Sequence, residues 1–519
     1  MLITDKQLLL YQRCQRRAFL ERYGDSSQQD PPSDFLLKLM QDSSAYQNSI
    51  LSHYPYFKID SFFGNWELGA KQTLELMQQG VDRIYQGVLL KVETLHATSL
   101  HLSEILLDGS LIESDEMIQI TLVSSPELLV KQPGYSQFGD WVYVSHDIKL
   151  GKRPKLDYQI ISAFHAYLLE GIQGVQPETG WLILRDKAPY SVNLEQRLPQ
   201  MYQVLNNYLN MALSRDEPEV FIARQKCNLC QWHSYCLEVA RSQNHISLIP
   251  GVTPTRYLRL KELNLPTVET LAKATPEQLE IYPEFAEGIA LQIIKQAESN
   301  LESKAIKRQE EFISFEQNFN SSYWLDNFQD SYQTKLKEFP VEIYFDIEAQ
   351  PELNLDYLHG LLVIDRRSNQ QKFYPFLAED KTQEELIWKQ FLELVWAYPI
   401  APIFHFCDYE PKTIKRLAAI YNTPDYWWKP VLKRFIDLHA KMTETVTLPV
   451  ESYALKPVAK WLGFEWRDPK ANGAQSVCWY EQWLKTGDRT LLDAIVQYNE
   501  DDCRATFHVK EWLTEFLNA

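Results

Sequence analysis

The chain has 519 residues, a formal net charge of −17, seven cysteines and 14 tryptophans, and 45% of its residues are hydrophobic. That supplies several cores, and the length predicts two large domains and a small insert. The acidity speaks against a protein coated for nonspecific nucleic-acid binding, while leaving room for a nuclease, whose catalytic carboxylates add negative charge. No stretch is long and apolar enough to predict a membrane span.

Asp5 to Tyr23 reads as a helix, with Leu8, Leu9, Cys14, Phe19 and Leu20 on or near one face. Runs around 117–123, 141–144 and 180–184 predict strands, and 160–169 and 194–213 predict helices. Local basic clusters occur at Arg13, Arg16 and Arg17, at Lys149 to Lys155, and at Arg366 and Arg367; the last pair reads as a solvated face. Any nucleic acid would have to be held by such local patches.

Within residues 1–243, four cysteines form a set: Cys14, then Cys227, Cys230 and Cys236 as C-x2-C-x5-C. Soft thiolates gathered at one point suit zinc or an iron–sulfur cluster. Cys407, Cys478 and Cys503 read as ordinary buried thiols. An odd cysteine total with metal-ligand spacing predicts a reducing cytoplasm. The opening Met1-Leu-Ile-Thr-Asp-Lys6 shows no signal peptide pattern.

Asp147 and Lys149 stand two apart at a strand end and so share a face. Glu127 precedes them on an apparent neighbouring strand, with Asp140 as a competitor for its place. Two carboxylates suit a divalent ion, and a lysine can orient water or offset charge at phosphorus. Downstream, Gln159, Ala163 and Tyr167 form a helical stripe.

This arrangement resembles the PD-(D/E)-x-K nucleases, in their RecB-like branch. It is similar to the iron–sulfur forms, in which one cysteine precedes the nuclease core and three follow. Gln12-Arg-Cys-Gln-Arg-Arg-Ala-Phe-Leu20 looks like their first-cysteine motif. The resemblance implies a 4Fe-4S cluster on Cys14, Cys227, Cys230 and Cys236, metal ligands Glu127 and Asp147, and catalytic roles for Lys149, Gln159 and Tyr167. It also implies a histidine near 44–53, where Tyr46 and Gln47 stand, with His53 less well placed.

Residues 244–300 read as a small helical segment. Ile249-Pro-Gly-Val-Thr-Pro254 before a helix resembles a helix–hairpin–helix, which binds phosphates through backbone N–H groups; a structural linker fits the same residues. Thr275-Pro-Glu-Gln278 is a capping box with Pro at the first helical position. A polar connector is predicted over 301–338.

Residues 339–519 repeat an α/β pattern. Val341-Glu-Ile-Tyr-Phe-Asp346-Ile-Glu348 is a strand with two acids on one face, and Tyr357 to Ile364 reads as its hairpin partner. Ala401-Pro-Ile-Phe-His405-Phe-Cys-Asp-Tyr-Glu410 runs from strand to helix. Tyr498-Asn-Glu-Asp-Asp502 reads as the start of a helix, with Tyr498 and Asp502 one turn apart. Four carboxylates from separate elements are what two-metal phosphoryl transfer requires, and a tyrosine beside the last acid can position water. Asp437 reads as structural, and Lys456 as a residue within reach of a phosphate.

This order resembles the DnaQ-like exonucleases of the ribonuclease H fold in their tyrosine-bearing DEDD form, closest to the YprB-type domain. The resemblance implies Asp346, Glu348 and Asp502 as metal ligands for Mg2+ or Mn2+, with Glu410 and Tyr498 completing the catalytic set and Asp408 as a fallback for Glu410. Together the two resemblances imply an α/β multidomain nuclease that hydrolyses phosphodiester bonds. DNA is favoured over RNA as substrate, with a role in repair or recombination beside a helicase or repair partner. Glu127 and Glu410 stand where these families commonly carry aspartate. That departure leaves a second reading: a nucleic-acid-binding or assembly scaffold.

Overall fold

The computed structural model describes residues 1–59, 64–96, 117–308 and 338–519. Most of the predicted connector, including Gln317 to Trp324, lies outside the described residues. The chain divides into two compact units, Met1–Val220 with Arg224–Leu237, and Phe221–Ala223 with Glu238–Ala519. Among the described residues no helix is long and apolar enough to cross a membrane.

The strands of the first unit are β1 (Leu2–Thr4), β2 (Phe57–Lys58), β3 (Arg83–Tyr85), β4 (Leu89–His96), β5 (Met117–Ser124), β6 (Leu128–Ser136), β7 (Gly139–Lys149), β8 (Thr179–Leu184) and β9 (Tyr190–Asn193). One sheet has the order β2-β3-β6-β7-β8-β9 and a smaller one β1-β5-β4. β6 and β7 are antiparallel, while β7 and β8 are parallel and joined through helix Leu156–Gln173. That helix is apolar on most sides and buries Ile160, Phe164, Leu168 and Leu169, as a crossover between two parallel strands must.

The single helix expected over 5–23 is two, Asp5–Arg13 and Gln15–Tyr23. Cys14 between them is extended (φ −162°, ψ 112°) and caps the second, its Sγ accepting from Arg17 N–H at 3.4 Å. The neighbouring arginines do not form a free cationic patch. Arg13 pairs with Asp157 at 2.8 Å and Arg17 with Glu21 at 3.6 Å. Arg16 is buried, donating to the Pro218 carbonyl at 2.7 Å and pairing with Glu217 at 2.6 Å.

The second unit holds β10 (Ile306–Lys307), β11 (Val341–Gln350), β12 (Leu355–Asp365), β13 (Gln370–Leu377), β14 (Ile403–His405), β15 (Phe435–Asp437) and β16 (Val446–Thr447). Its main sheet runs β13-β12-β11-β14-β15, the first three antiparallel and the last two parallel to β11. Thr275 and Gln278 form the expected capping box. The helical segment packs within this unit, Gln296 of helix Ile289–Glu302 donating to the Leu448 carbonyl at 2.6 Å, and the start of the predicted connector forms β10, which pairs with β16.

Strand alternation sorts β11. Ile343, Phe345 and Ile347 enter a core with Trp388 and Phe391 of helix Glu384–Ala397. Tyr344, Asp346 and Glu348 face the other way, where Tyr344 joins Phe404 and Cys503. Cys503 belongs to helix Arg489–Asn518. The expected helix start at Tyr498 is therefore corrected. Asp488 caps the helix, and Tyr498 lies well inside it, so its acids do not serve the macrodipole at an N-terminus.

One end of this helix is bound to β11 by charge. Lys510 Nζ and Glu342 Oε1 lie 2.9 Å apart, both side chains fully buried. Arg366 also meets Glu342 at 2.9 Å, and Tyr344 donates to it at 2.9 Å. Arg366 thus belongs to a buried network rather than to a solvated face. Breaking one partner of a buried pair costs about 3–5 kcal/mol. Lys510→Met should cost about 3 kcal/mol, the lower end, because Arg366 still holds Glu342; a lowered urea midpoint for this unit is the measurement.

Candidate active site

The two acids of β11 point at helix Arg489–Asn518 and meet Asp502 there. Asp346, Glu348 and Asp502 each offer one oxygen, and these oxygens lie within 4.8 Å of one another. Among the described residues this is the one group of three or more acidic, histidine or cysteine ligands so close together. Glu348 is buried, and Asp346 and Asp502 are half-buried.

No cation pairs with these carboxylates at salt-bridge distance among the described residues; neutral donors do. Asn499 Nδ2 donates to Asp346 Oδ2 at 2.6 Å, and the Trp466 indole to Asp502 Oδ1 at 2.7 Å. Ser476, bonded to Tyr357, and the Tyr498 hydroxyl lie close enough to Glu348 and Asp502 to favour their charged forms. Burial, then the charges of Asp502, Glu348 and Glu410, pushes Asp346 well above the usual carboxylate range. Burial and Asp502 push Glu348 up to about 8. Burial raises Asp502 to about 6 against the pull of Trp466 and Tyr498. Tyr498 is driven far upward by burial and then by Asp502, so its hydroxyl keeps its proton.

Glu410 arrives through a strained turn. β14 ends at His405, and Cys407 adopts φ 75°, a left-handed conformation that costs a residue with a Cβ. The turn is fixed on both sides. His405 Nδ1 donates to the Cys407 carbonyl at 2.6 Å, and Cys407 N–H donates to Asp437 Oδ1 at 3.0 Å. Helix Tyr409–Ile420 follows, burying Glu410 with its Oε2 3.5 Å from His405 Nδ1. Asp408 points away, exposed and paired with Lys412. Asp437 also caps helix Leu438–Thr445, accepting from His439 and Ala440 N–H. Lys456 Nζ is engaged by the carbonyls of Pro469 and Ala471. A cavity of about 260 Å³ opens beside Tyr498, lined by Asp468, Asp493, Gln497 and Asp501 among others.

The acids of the first unit are compensated internally. Glu127, just before β6, meets Lys149 Nζ at 2.6 Å, and Asp147 lies 3.7 Å from the same nitrogen. His165 Nδ1 is 3.3 Å from Asp147, and its Nε2 is 3.6 Å from Asp5. Burial opposes the charge on His165, but Asp147 and Asp5 outweigh it and hold the imidazole near 9. Burial would raise Asp147, yet His165 and Lys149 keep it well below the carboxylate range. Glu127 is pushed up to about 7 by burial, with Lys149 opposing and Asp147 adding.

Gln47 Nε2 approaches Glu127 at 3.4 Å, in the region where the resemblance places a histidine. Gln159 and Tyr167 do not join this group. Gln159 bonds the Pro154 carbonyl at 2.6 Å and Arg197 at 2.9 Å, and Tyr167 bonds Glu93. Asp5, expected only as a helix start, and His165 take their place.

Cys14, Cys230 and Cys236 lie close enough for Cys14 to raise both of the other thiols. Burial is the larger cause at each, and it takes Cys236 to about 11 despite Arg16. Cys227 sits on the same turn, its carbonyl accepting from Cys230 N–H at 2.9 Å.

A family model described as RNase_H superfamily matches residues 343–514. No curated protein matches the chain. The match begins in β11 and ends past Asp502, so it spans Asp346, Glu348, Glu410, Tyr498 and Asp502. It supports nuclease-type, metal-dependent phosphodiester hydrolysis in the C-terminal region.

Raised carboxyls give this unit a distinctive pH response. Glu348 has an ordinary value of 4.5 and a folded value of about 8. The folded state therefore binds the extra proton, and that stability is complete below the ordinary value and lost as pH rises through the folded one. Metal-free protein should melt at falling temperature from about pH 5 to 8, and millimolar Mg2+ or Mn2+ should reverse the fall; scanning calorimetry reads both.

Proposed function

We propose that the chain is a metal-dependent nuclease that hydrolyses phosphodiester bonds at Asp346, Glu348 and Asp502, with Glu410 and Tyr498 completing the site. The observation that carries this reading is a close group of three carboxylates with neutral donors and no paired cation. Such a group has both the charge deficit and the oxygen ligands that suit Mg2+ or Mn2+. Bound divalent ions there would supply an activated water and charge stabilisation at phosphorus. The chain's own residues prepare the site. Trp466 and Asn499 each restrain one acid. Tyr498 keeps its proton beside Asp502 and can orient a water by donating and accepting. Glu410 adds negative charge from the neighbouring helix, held by the Cys407 turn.

The first unit is proposed as a RecB-like nuclease domain closed by its cysteines, with the four thiols carrying a 4Fe-4S cluster. The break at Cys14 supports this, because it ends one helix where a sulfur can face Cys230 and Cys236. Four thiols are a suitable donor set, and a cluster of several irons spreads its ligands wider than a single ion does. A second reading has its own observation: Lys149 and His165 already neutralise Glu127 and Asp147. On that reading the first unit grips nucleic acid without cutting it. We favour DNA over RNA as substrate, a role in repair or recombination with a helicase or repair partner, and a cytoplasmic setting.

Assays with Mn2+ or Mg2+ on single- and double-stranded DNA and RNA test the function. Asp346→Ala should lower cleavage by on the order of 100-fold or more, beyond the effect of losing an outer-shell partner. Lys149→Ala should leave cleavage unchanged if the first unit only binds. Robust cutting that survives both substitutions would remove both site assignments. Anaerobically purified protein should be brown, and Cys14→Ser should bleach it; a colourless, zinc-loaded protein would refute the cluster.

A further inference from the structure

Asn499 lies between the elements that carry the acids, on the helix bearing Tyr498 and Asp502. It is fully buried, and its Nδ2 donates to Asp346 Oδ2 at 2.6 Å. Its Oδ1 is buried without a hydrogen-bond partner. The bond to Asp346 is therefore what fixes the amide, rather than a wider network.

The approach depends on the residue across the sheet. Asp346 pairs with Gly360 in the β11–β12 register. A Cβ at 360 would stand 1.6 Å from Asn499 Oδ1 and 2.8 Å from its Cγ. Real atoms do not approach so closely, so any other side chain at 360 must displace Asn499. Gly360 sits in a regular strand, where glycine is otherwise unfavourable. Its use here is to admit a neighbouring side chain.

The chemistry of the donor matters as much as its position. A neutral amide on one carboxylate oxygen restrains the group's rotation, leaves its charge intact and leaves the other oxygen free. A lysine or arginine in that place would compete with a bound cation. Trp466 treats Asp502 in the same way, taking Oδ1 at 2.7 Å. Outer-shell partners of this kind orient metal ligands.

We propose that Asn499 is a positioning residue that fixes Asp346 for divalent-cation binding, and that Gly360 is required in order to admit it. This rests on the nuclease reading above. The test is calorimetric titration of the full chain with Mn2+, beside cleavage assays across Mn2+ concentration. Asn499→Ala should raise the Mn2+ concentration for half-saturation by about 10- to 100-fold, the usual effect of losing an outer-shell partner. Asn499→Leu fills a similar volume without the donor and should match it. Gly360→Ala should weaken Mn2+ binding comparably, yet add little in the Asn499→Ala background, where the obstructing amide is gone and only the Phe373 ring, 3.0 Å from the new Cβ, has to shift. Circular dichroism checks that each variant is folded.

Wild-type Mn2+ affinity in Asn499→Leu would overturn the proposal, because packing alone would then suffice. Losses that multiply in the double variant would overturn the role given to Gly360. A wild-type chain that binds Mn2+ but cuts neither DNA nor RNA would sink the nuclease reading alone, with the Asn499 comparison still decided by calorimetry. A wild-type chain that binds no Mn2+ overturns both.

Discussion

Like charges gathered out of water are the constraint around which the second unit is organised. Asp346, Glu348 and Asp502 repel one another, and Glu410 adds to the repulsion at Asp346. Left alone, such a group separates or takes up protons. It holds together because the two elements that carry it are fastened elsewhere. Lys510 and Glu342 bind the final helix to β11 at a buried ion pair, and Tyr344, Phe404 and Cys503 pack between them. Attraction at Glu342 thus sustains repulsion at the acids, along one strand and one helix.

The first unit solves a similar problem in the opposite way. Its acids Glu127, Asp147 and Asp5 are met by Lys149 and His165. A carboxylate that already has a protein cation gains less from a metal ion than one that lacks it. The two clusters therefore differ in what they leave unmet. In the second unit the unmet charge suits a cation; in the first, little remains. This difference comes from partner residues rather than from the acids, and a motif of acids alone does not carry it.

Strand periodicity made much of the second site legible. Asp346 and Glu348 sit on one face because they are two apart, and Asp502 and Tyr498 meet because they are four apart. The strand-to-helix passage into Glu410 was readable too, but not the left-handed Cys407 that shapes it, since nothing marks a cysteine for that conformation. Trp466 was invisible because its link to Asp502 is purely tertiary. Asn499 lies inside the motif with nothing local to single it out; its one sequence signal, Gly360 in an otherwise buried strand, is distant in sequence. In the first unit, the helical stripe of Gln159 and Tyr167 was correctly placed on a helix. Its turn toward Pro154, Arg197 and Glu93, with His165 reaching the acids instead, depended on packing that periodicity does not encode. The break at Cys14 escaped because local propensity favours helix on both sides of it.

The pairing of β1 with β5 and the approach of Cys14 to Cys230 and Cys236 bear on how the chain leaves the ribosome. The first two helices have partners more than a hundred residues downstream, and Cys14 has its partners more than two hundred downstream. Synthesis at about 5–20 residues per second makes the later wait on the order of 10–40 s. During that interval Leu8, Phe19 and Leu20, buried in the finished unit, have only the part of their core already made to enter. The segment around Cys14 is thus a stretch whose apolar face needs shielding while the rest of its unit is still being made, and the unit closes only when its last cysteine arrives.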